Sequence, residues 1–311
     1  MHYTGTIWRP PYEAYSLLLE ATAGCTHHKC KFCTLYHDLP FKFRMSPRED
    51  IKSDLQEAQL WCTDPIAKLS AKLQGLPEPA ATQRVFLTGA NPFVLQTEHL
   101  TAIAKLIAQY LPQITSIGCF ARVTDITRKS DAELSQLHRL GYDRITIGVE
   151  TGDAEALAFM HKGYQPQDII EQAARLDTAG IAYHFFYLAG ISGAGRGIHG
   201  ALESAKVFNQ THPKTIGSSM LTIFPESELY QEIQRGKWTE ESELEKFAEL
   251  KTLIENLNIH TEIMTEGASN LVRLHGRLPT DKQKLICYLE DLLHTADENT
   301  LRDYRTHLRH L

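Results

Sequence analysis

The stretch AGCTHHKCKFCTLY, Ala23–Tyr36, places Cys25, Cys30 and Cys33 within nine positions, with Phe32 directly before the last thiol. Three cysteinates can hold three irons of a [4Fe-4S] cluster and leave the fourth iron open, whereas a purely structural cluster recruits four. Zinc is the alternative, with His27 or His28 completing a four-coordinate site. A histidine two or three positions after Cys25 sits inside the same tight loop, where tetrahedral closure is awkward. A third reading is that the thiols are unrelated. The other cysteines, Cys62, Cys119 and Cys287, are distant in sequence. Cys119 falls inside a strand candidate and reads as a small buried residue, while Cys62 and Cys287 fall in helical stretches and read as packing residues.

Outward from this loop, short apolar runs alternate with amphipathic segments. Strand candidates are Ser16–Ala23, Arg84–Gly89, Ile114–Ala121, Arg144–Glu150, Ile181–Gly190 and Thr215–Phe224, all rich in β-branched and aromatic residues. Between them, Pro47–Gln74 predicts one long or two shorter helices. QTEHLTAIAKLIAQYLP repeats at helical spacing and stops near Pro112, and KSDAELSQLHRLG opens on a possible Ser cap and ends at glycine. Strands that are nearly continuous apolar runs, separated by helices, predict a parallel sheet. A doubly wound sheet and an incomplete barrel both fit that order. In such folds the loop after a strand's C-terminal end is where chemistry is mounted, and the cysteine loop follows the first strand. After Phe224 the texture becomes charged and helical, so an α-rich C-terminal extension is expected from about residue 225, packed on the main body.

The chain has 311 residues, and 32 Lys and Arg against 38 Asp and Glu give a formal charge of -6. No basic block dominates, which argues against a dedicated nucleic-acid surface. No window approaches the 18 or more apolar residues of a membrane span. The N-terminus, broken early by Trp8-Arg9-Pro10-Pro11, does not read as a signal peptide. Six cysteines in a chain of this length suit a reducing cytoplasm better than a secreted disulfide scaffold.

The cysteine loop resembles the signature of the radical S-adenosylmethionine (radical SAM) superfamily, which carries three cysteines and an aromatic before the third. Here the spacing is the variant C-x4-C-x2-C, and Phe32 holds the aromatic position. The resemblance extends over roughly 16–224. It implies an incomplete (β/α)6 TIM-like barrel, after an N-terminal extension at 1–15 and before the mainly helical segment 225–311. It also implies one [4Fe-4S] cluster on Cys25, Cys30 and Cys33, with S-adenosyl-L-methionine as the second cofactor. LTGANPF resembles the segment that contacts the methionyl amino group, pointing to Gly89 and to Asn91 near the usual acidic position. ITIGVETGDAEALAFMHKGY resembles a segment of the coproporphyrinogen-dehydrogenase-like and Elongator-like, tRNA-modifying branches. In it Glu150 matches the ribose contact, and Lys162 is the candidate for the methionyl carboxylate. FFYLAGISG resembles the adenine-lining strand, with Gly190 allowing close approach. Arg122, in ARVTDI, stands where many relatives carry an acid. The implied reaction is reductive cleavage of S-adenosylmethionine to a 5′-deoxyadenosyl radical that abstracts hydrogen from a substrate. The implied partner is an electron donor such as flavodoxin or ferredoxin.

Other readings stay open at several positions. Glu150 could cap the following helix, and Lys162 could be a solvated side chain. LAGISGAGRGIHG lacks the P-loop ending and reads as a flexible loop whose Arg196 and His199 could touch substrate. Asn270 and Arg273, in TEGASNLVRLHGRLPTDK, either close over substrate or belong to an ordinary turn and helix start. For substrate, the net charge and the lack of a nucleic-acid module favour a small molecule over RNA, and Arg122, Arg196, His199 and Arg273 are the groups that would suit an anionic one. An RNA-modifying enzyme and a non-catalytic iron–sulfur or zinc module are the alternatives.

Overall fold

The computed structural model describes residues 1–76, 78 and 81–307; positions 308–311 of the expected C-terminal extension lie outside the described residues. The chain forms two compact units. The first comprises Met1–His28, Tyr36–Thr146 and Thr178–Ala182; the second comprises Lys29–Leu35, Ile147–Asp177 and the chain from Tyr183 onward.

In chain order the first unit holds β1 (Leu17–Glu20), β2 (Thr22–Gly24), β3 (Phe43–Met45), α1 (Arg48–Thr63), α2 (Pro65–Leu73) and β4 (Arg84–Thr88). There follow α3 (Thr97–Tyr110), β5 (Ser116–Ala121), α4 (Val123–Thr127) and α5 (Asp131–Arg139); β6 (Arg144–Glu150) runs on into the second unit. β4 pairs in parallel with β1, from Leu17 opposite Val85 to Glu20 opposite Thr88, and with β5, from Arg84 opposite Ser116 to Leu87 opposite Cys119. Val85, Phe86 and Leu87 are all buried, as a strand covered on both faces requires. Ser16–Ala23 does not run as one strand. Ala21 donates to Thr88 O, and its own carbonyl accepts from Ser46, so the chain changes ladder there. Thr22–Gly24 then pairs antiparallel with β3.

One cation fixes the register of this unit. Arg84 Nη2 lies 2.8 Å from the buried Glu13 carboxylate, and Nη1 lies 2.9 Å from Asp143 and also donates to Ser116. Gly118 is needed here, because a Cβ would stand 2.1 Å from Arg84 Nη2. Pro47–Gln74 forms two helices. Asp64 ends α1 and caps α2, accepting from Ile66 N–H at 2.9 Å, with Pro65 at the first helical position. The cap expected at Ser130 is also present, accepting from Glu133 N–H.

The second unit holds α6 (Ala154–Phe159), most of α7 (Pro166–Ala179), β7 (Ala182–Ala189), α8 (Gly197–Phe208), β8 (Thr215–Met220) and α9 (Glu228–Gln234). It continues with α10 (Glu243–Asn256), β9 (Thr261–Met264), β10 (His275–Leu278), α11 (Lys282–Thr295) and α12 (Glu298–Thr306). β7 and β9 flank β8 in parallel, and β10 closes antiparallel on β9. Tyr183, Phe185 and Tyr187 alternate along β7, all buried, and Phe185 and Tyr187 meet Phe208 of α8. β9 and β10 were not expected within a helical extension. Four residues each, one interrupted by Gly276, are too short to set a period.

Along the chain β1, β4, β5, β6, β7 and β8 alternate with helices. The fold is α/β, of the incomplete (β/α)6 TIM-like class, with an α-rich C-terminal extension. Among the described residues no helix is long and apolar enough to cross a membrane. The Gly-rich stretch 188–200, expected as a flexible loop, is a hydrogen-bonded turn running into the first turn of α8. Ala194 N–H donates to Thr239 O at 2.9 Å and Gly195 N–H to Glu245 at 2.9 Å.

Candidate functional site

In the first unit the candidate residues gather around the exit of β2. Gly24 has φ +78, and a Cβ on it would meet Lys42 O at 2.2 Å. Cys25 follows, its N–H donating to the same Lys42 O at 2.8 Å, so the hairpin partner fixes where the first thiol begins. Asn91, fully buried, donates through Nδ2 to Thr26 Oγ1 at 2.8 Å and to both Asp125 oxygens at 3.0 and 3.2 Å. Arg122 N–H donates to Asp125 Oδ2 at 2.8 Å, and the Arg122 guanidinium bonds Thr124 Oγ1 at 2.9 Å. Burial pushes the Asp125 carboxyl above its ordinary range, against the hydrogen bonds that lower it. Gly89 has φ +127, and a Cβ there would stand 2.0 Å from Thr22 Oγ1. In this geometry Gly89 and Asn91 tie the end of β4 to the cysteine loop.

In the second unit the central feature is a buried ion pair. Glu150 ends β6 at φ +59, a left-handed conformation that a non-glycine residue holds only under constraint. Lys162 Nζ lies 2.9 Å from Glu150 Oε1, and both residues are buried. The same ammonium stands 5.8 Å from the Phe32 ring centroid and 5.7 Å from that of Tyr164. Tyr164 in turn donates to the carbonyls of Gly148 and Val149 at 3.0 Å. Phe32 packs against an apolar cluster that includes Met160, Leu188 and Leu229. Lys162 is therefore not a solvated side chain. Glu150 does not cap α6; Asp153 does, accepting from Glu155 and Ala156 N–H. Positive φ recurs at His161, +56, directly before the lysine.

Gly190, at φ +90, leaves β7 with its N–H donating to Glu249 Oε2 at 2.6 Å, and the other Glu249 oxygen accepts from Tyr187. A Cβ on Gly190 would stand 3.0 Å from Lys246 Cε. Burial pushes the neighbouring Glu241 and Glu249 carboxyls upward, and the charge of Glu249 further opposes the ionisation of Glu241. Arg196 is committed to Asp153 at 3.1 Å and Glu155 at 2.8 Å. His199 and Arg273 are exposed, and Asn270 Nδ2 donates to Ser218 O at 2.8 Å.

None of the six cysteines is in a disulfide; Cys25, Cys30 and Cys33 are half-buried, and Cys119 is buried with its thiol pushed up by desolvation. Cys62 is half-buried, but Cys287, expected to pack, is exposed on α11. Among the described residues no three or more His, Cys, Asp or Glu side chains are gathered as a metal-binding group. The donor chemistry suits iron and sulfide: three unbridged thiols on a single loop, the second and third followed in the same unit by a buried lysine–carboxylate pair. The sequence missed Asp125, Asp153, Tyr164 and Glu249. Asp153 alone carried a signal, as an acid immediately before a helical run.

The Radical SAM superfamily profile matches residues 19–193. Among solved structures, the chain is similar to the radical S-adenosylmethionine methyltransferase TsrM from Kitasatospora setae, at 15% identity and TM-score 0.52, over 71% of this chain and 39% of that one. It is similar to Elp3 of the archaeon Methanocaldococcus infernus, at 15% identity and TM-score 0.51, over 73% and 57%. It is also similar to the radical SAM enzyme HemN, coproporphyrinogen III oxidase from Escherichia coli, at 14% identity and TM-score 0.52, over 77% and 51%. The chain thus spans less than two thirds of each relative, and at these identities the likeness is one of fold. No curated protein sequence matches it.

Proposed function

Because the chain belongs to the radical SAM superfamily, we propose that it is an enzyme that cleaves S-adenosylmethionine reductively at one [4Fe-4S] cluster held by Cys25, Cys30 and Cys33. The observation that carries this reading is the buried Lys162–Glu150 pair at the left-handed end of β6, with Phe32 of the cysteine loop beside the ammonium. When bound, the two cofactors supply the electron transfer and the hydrogen-abstracting radical. The protein's part is placement. Lys162 offers a cation to a carboxylate. Glu150 offers an acceptor to ribose hydroxyls, and its pairing with Lys162 sets where both groups point. Phe32 excludes water from the ammonium's flank. Gly190, whose N–H is committed to Glu249 and whose carbonyl accepts from Gly193 N–H, lies at the end of the strand proposed to line the adenine.

Residues 16–224 carry this chemistry in the proposal, and 225–311 form the extension that shapes the pocket. The branch that best suits the GVETG segment is the one near the coproporphyrinogen-dehydrogenase-like and Elongator-like proteins. The substrate is proposed to be a small anionic molecule in the cytoplasm, and the reductant an electron donor such as flavodoxin or ferredoxin. The proposed anion would be met by the arginines Arg122, Arg196 and Arg273, with His199 as a further polar contact. Anaerobic reconstitution with iron and sulfide, followed by dithionite and S-adenosylmethionine, tests the reading through release of 5′-deoxyadenosine.

A further inference from the structure

Between the two distal cysteines stands a lysine that solvent hardly reaches. Lys31 is 8% exposed. Its N–H donates to Met160 O, just past the end of α6, at 3.3 Å, and its carbonyl accepts from Leu229 N–H, in the first turn of α9, at 2.8 Å. The carbonyl at a helix's C-terminal end and the N–H at another's N-terminal end lack intrahelical partners, and this one residue satisfies one of each. The side chain goes to the same two helices. Its ammonium lies 4.2 Å from the Phe159 ring centroid of α6, and 3.7 Å and 3.9 Å from Glu232 and Glu228 of α9. Glu232 is itself buried. A lysine on a loop ordinarily keeps its ammonium in water, and burying it is costly unless it is paired. Main chain, ammonium and the following Phe32, seated against Met160 and Leu229, all converge on one place.

We infer that α9, in the C-terminal extension, holds the Cys30–Cys33 half of the loop in its ligand geometry, with Lys31 as the positioning residue. The inference rests on the proposed cluster and gives the extension a task that neither the motif nor the fold assigns. Lys31 acts through the backbone of its two neighbours, so its loss loosens the loop while all three thiols remain.

The test uses the full chain, reconstituted anaerobically with iron and sulfide. Lys31→Met keeps the apolar stem and removes the charge, Lys31→Arg restores a cation, and Glu232→Gln weakens the contact from the α9 side. Both Lys31→Met and Glu232→Gln are expected to lose iron to a chelator about tenfold faster than the unaltered protein, the scale of an outer-shell ligand contact. They are also expected to change the electron paramagnetic resonance spectrum of the reduced cluster, with Lys31→Arg largely restoring it. Should Lys31→Met fail to fold, Glu232→Gln carries the test, because it leaves the loop sequence intact. Iron retention and spectrum unchanged in Glu232→Gln, and in Lys31→Met where it folds, overturn the inference while leaving the cluster proposal standing. An unaltered protein that takes up no iron and sulfide overturns both.

Discussion

Lys162 Nζ lies 2.9 Å from Glu150 Oε1, with both side chains buried and the carboxylate carried by a backbone at φ +59. A group held this way does not act alone. Removing either partner leaves a buried charge uncompensated, at a cost of about 3–5 kcal/mol, whereas removing both costs much less. Chemical denaturation of Lys162→Met, Glu150→Gln and the double variant checks this. The double variant is expected to be more stable than Lys162→Met; additive losses would show that the two charges are not coupled.

The same pair makes a functional prediction. Glu150→Gln keeps shape and hydrogen-bonding capacity but removes charge, so it is expected to weaken S-adenosylmethionine binding while leaving iron content intact. Isothermal titration of the reconstituted variant, beside iron and sulfide analysis, separates the two effects. Equal loss of both would place Glu150 in loop folding and away from the cofactor.

Asn91→Asp is expected to be destabilising at neutral pH. The native amide donates to both oxygens of the buried Asp125, and a second carboxylate would set two like charges in one buried site. A loss of about 3 kcal/mol is expected from the lost donors and added repulsion. It should shrink as the pH is lowered and one acid takes up a proton. Denaturation at pH 5 and pH 8 would read this; a variant equally weakened at both leaves repulsion without a role.

How much of this was legible beforehand differs by residue. Arg144–Glu150 was read with its observed bounds, because a parallel strand buried on both faces spells itself as one apolar run. The three cysteines and Phe32 stood out because residues closely spaced on one loop keep their spacing in sequence. Asn91 stood out only as an amide near the acidic position. Its bonding to Asp125, 34 positions later, depends on how two strand exits meet. Glu249 was invisible for the same reason, since it reaches Gly190 across 59 positions from a helix that reads as merely charged. β9 and β10 are strands by pairing and not by composition.

Glu241 and Glu249 have folded-state proton affinities raised chiefly by burial, and that of Glu241 also by the charge of Glu249. A carboxyl with a raised folded pKa binds more protons folded than unfolded. Its contribution to stability is therefore full below the ordinary carboxylate range and is lost as the pH rises through the folded pKa. Glu241→Gln is expected to flatten that decline. Urea midpoints measured from pH 5 to pH 9 would show it; a variant with the same slope as the parent would assign the decline to other groups.

Cys25→Ala, Cys30→Ala and Cys33→Ala are each expected to abolish cluster binding, while changes at Cys62, Cys119 and Cys287 leave iron content intact. Anaerobic metal and sulfide analysis decides it. One tightly bound zinc with no sulfide would replace the cluster by a zinc module.

The central claim is tested most directly by chromatography of the reconstituted protein after anaerobic reduction with dithionite in the presence of S-adenosylmethionine. The expected result is 5′-deoxyadenosine from the unaltered protein and none from Cys30→Ala. A cluster that is fully assembled and reducible, yet yields no 5′-deoxyadenosine, would contradict it.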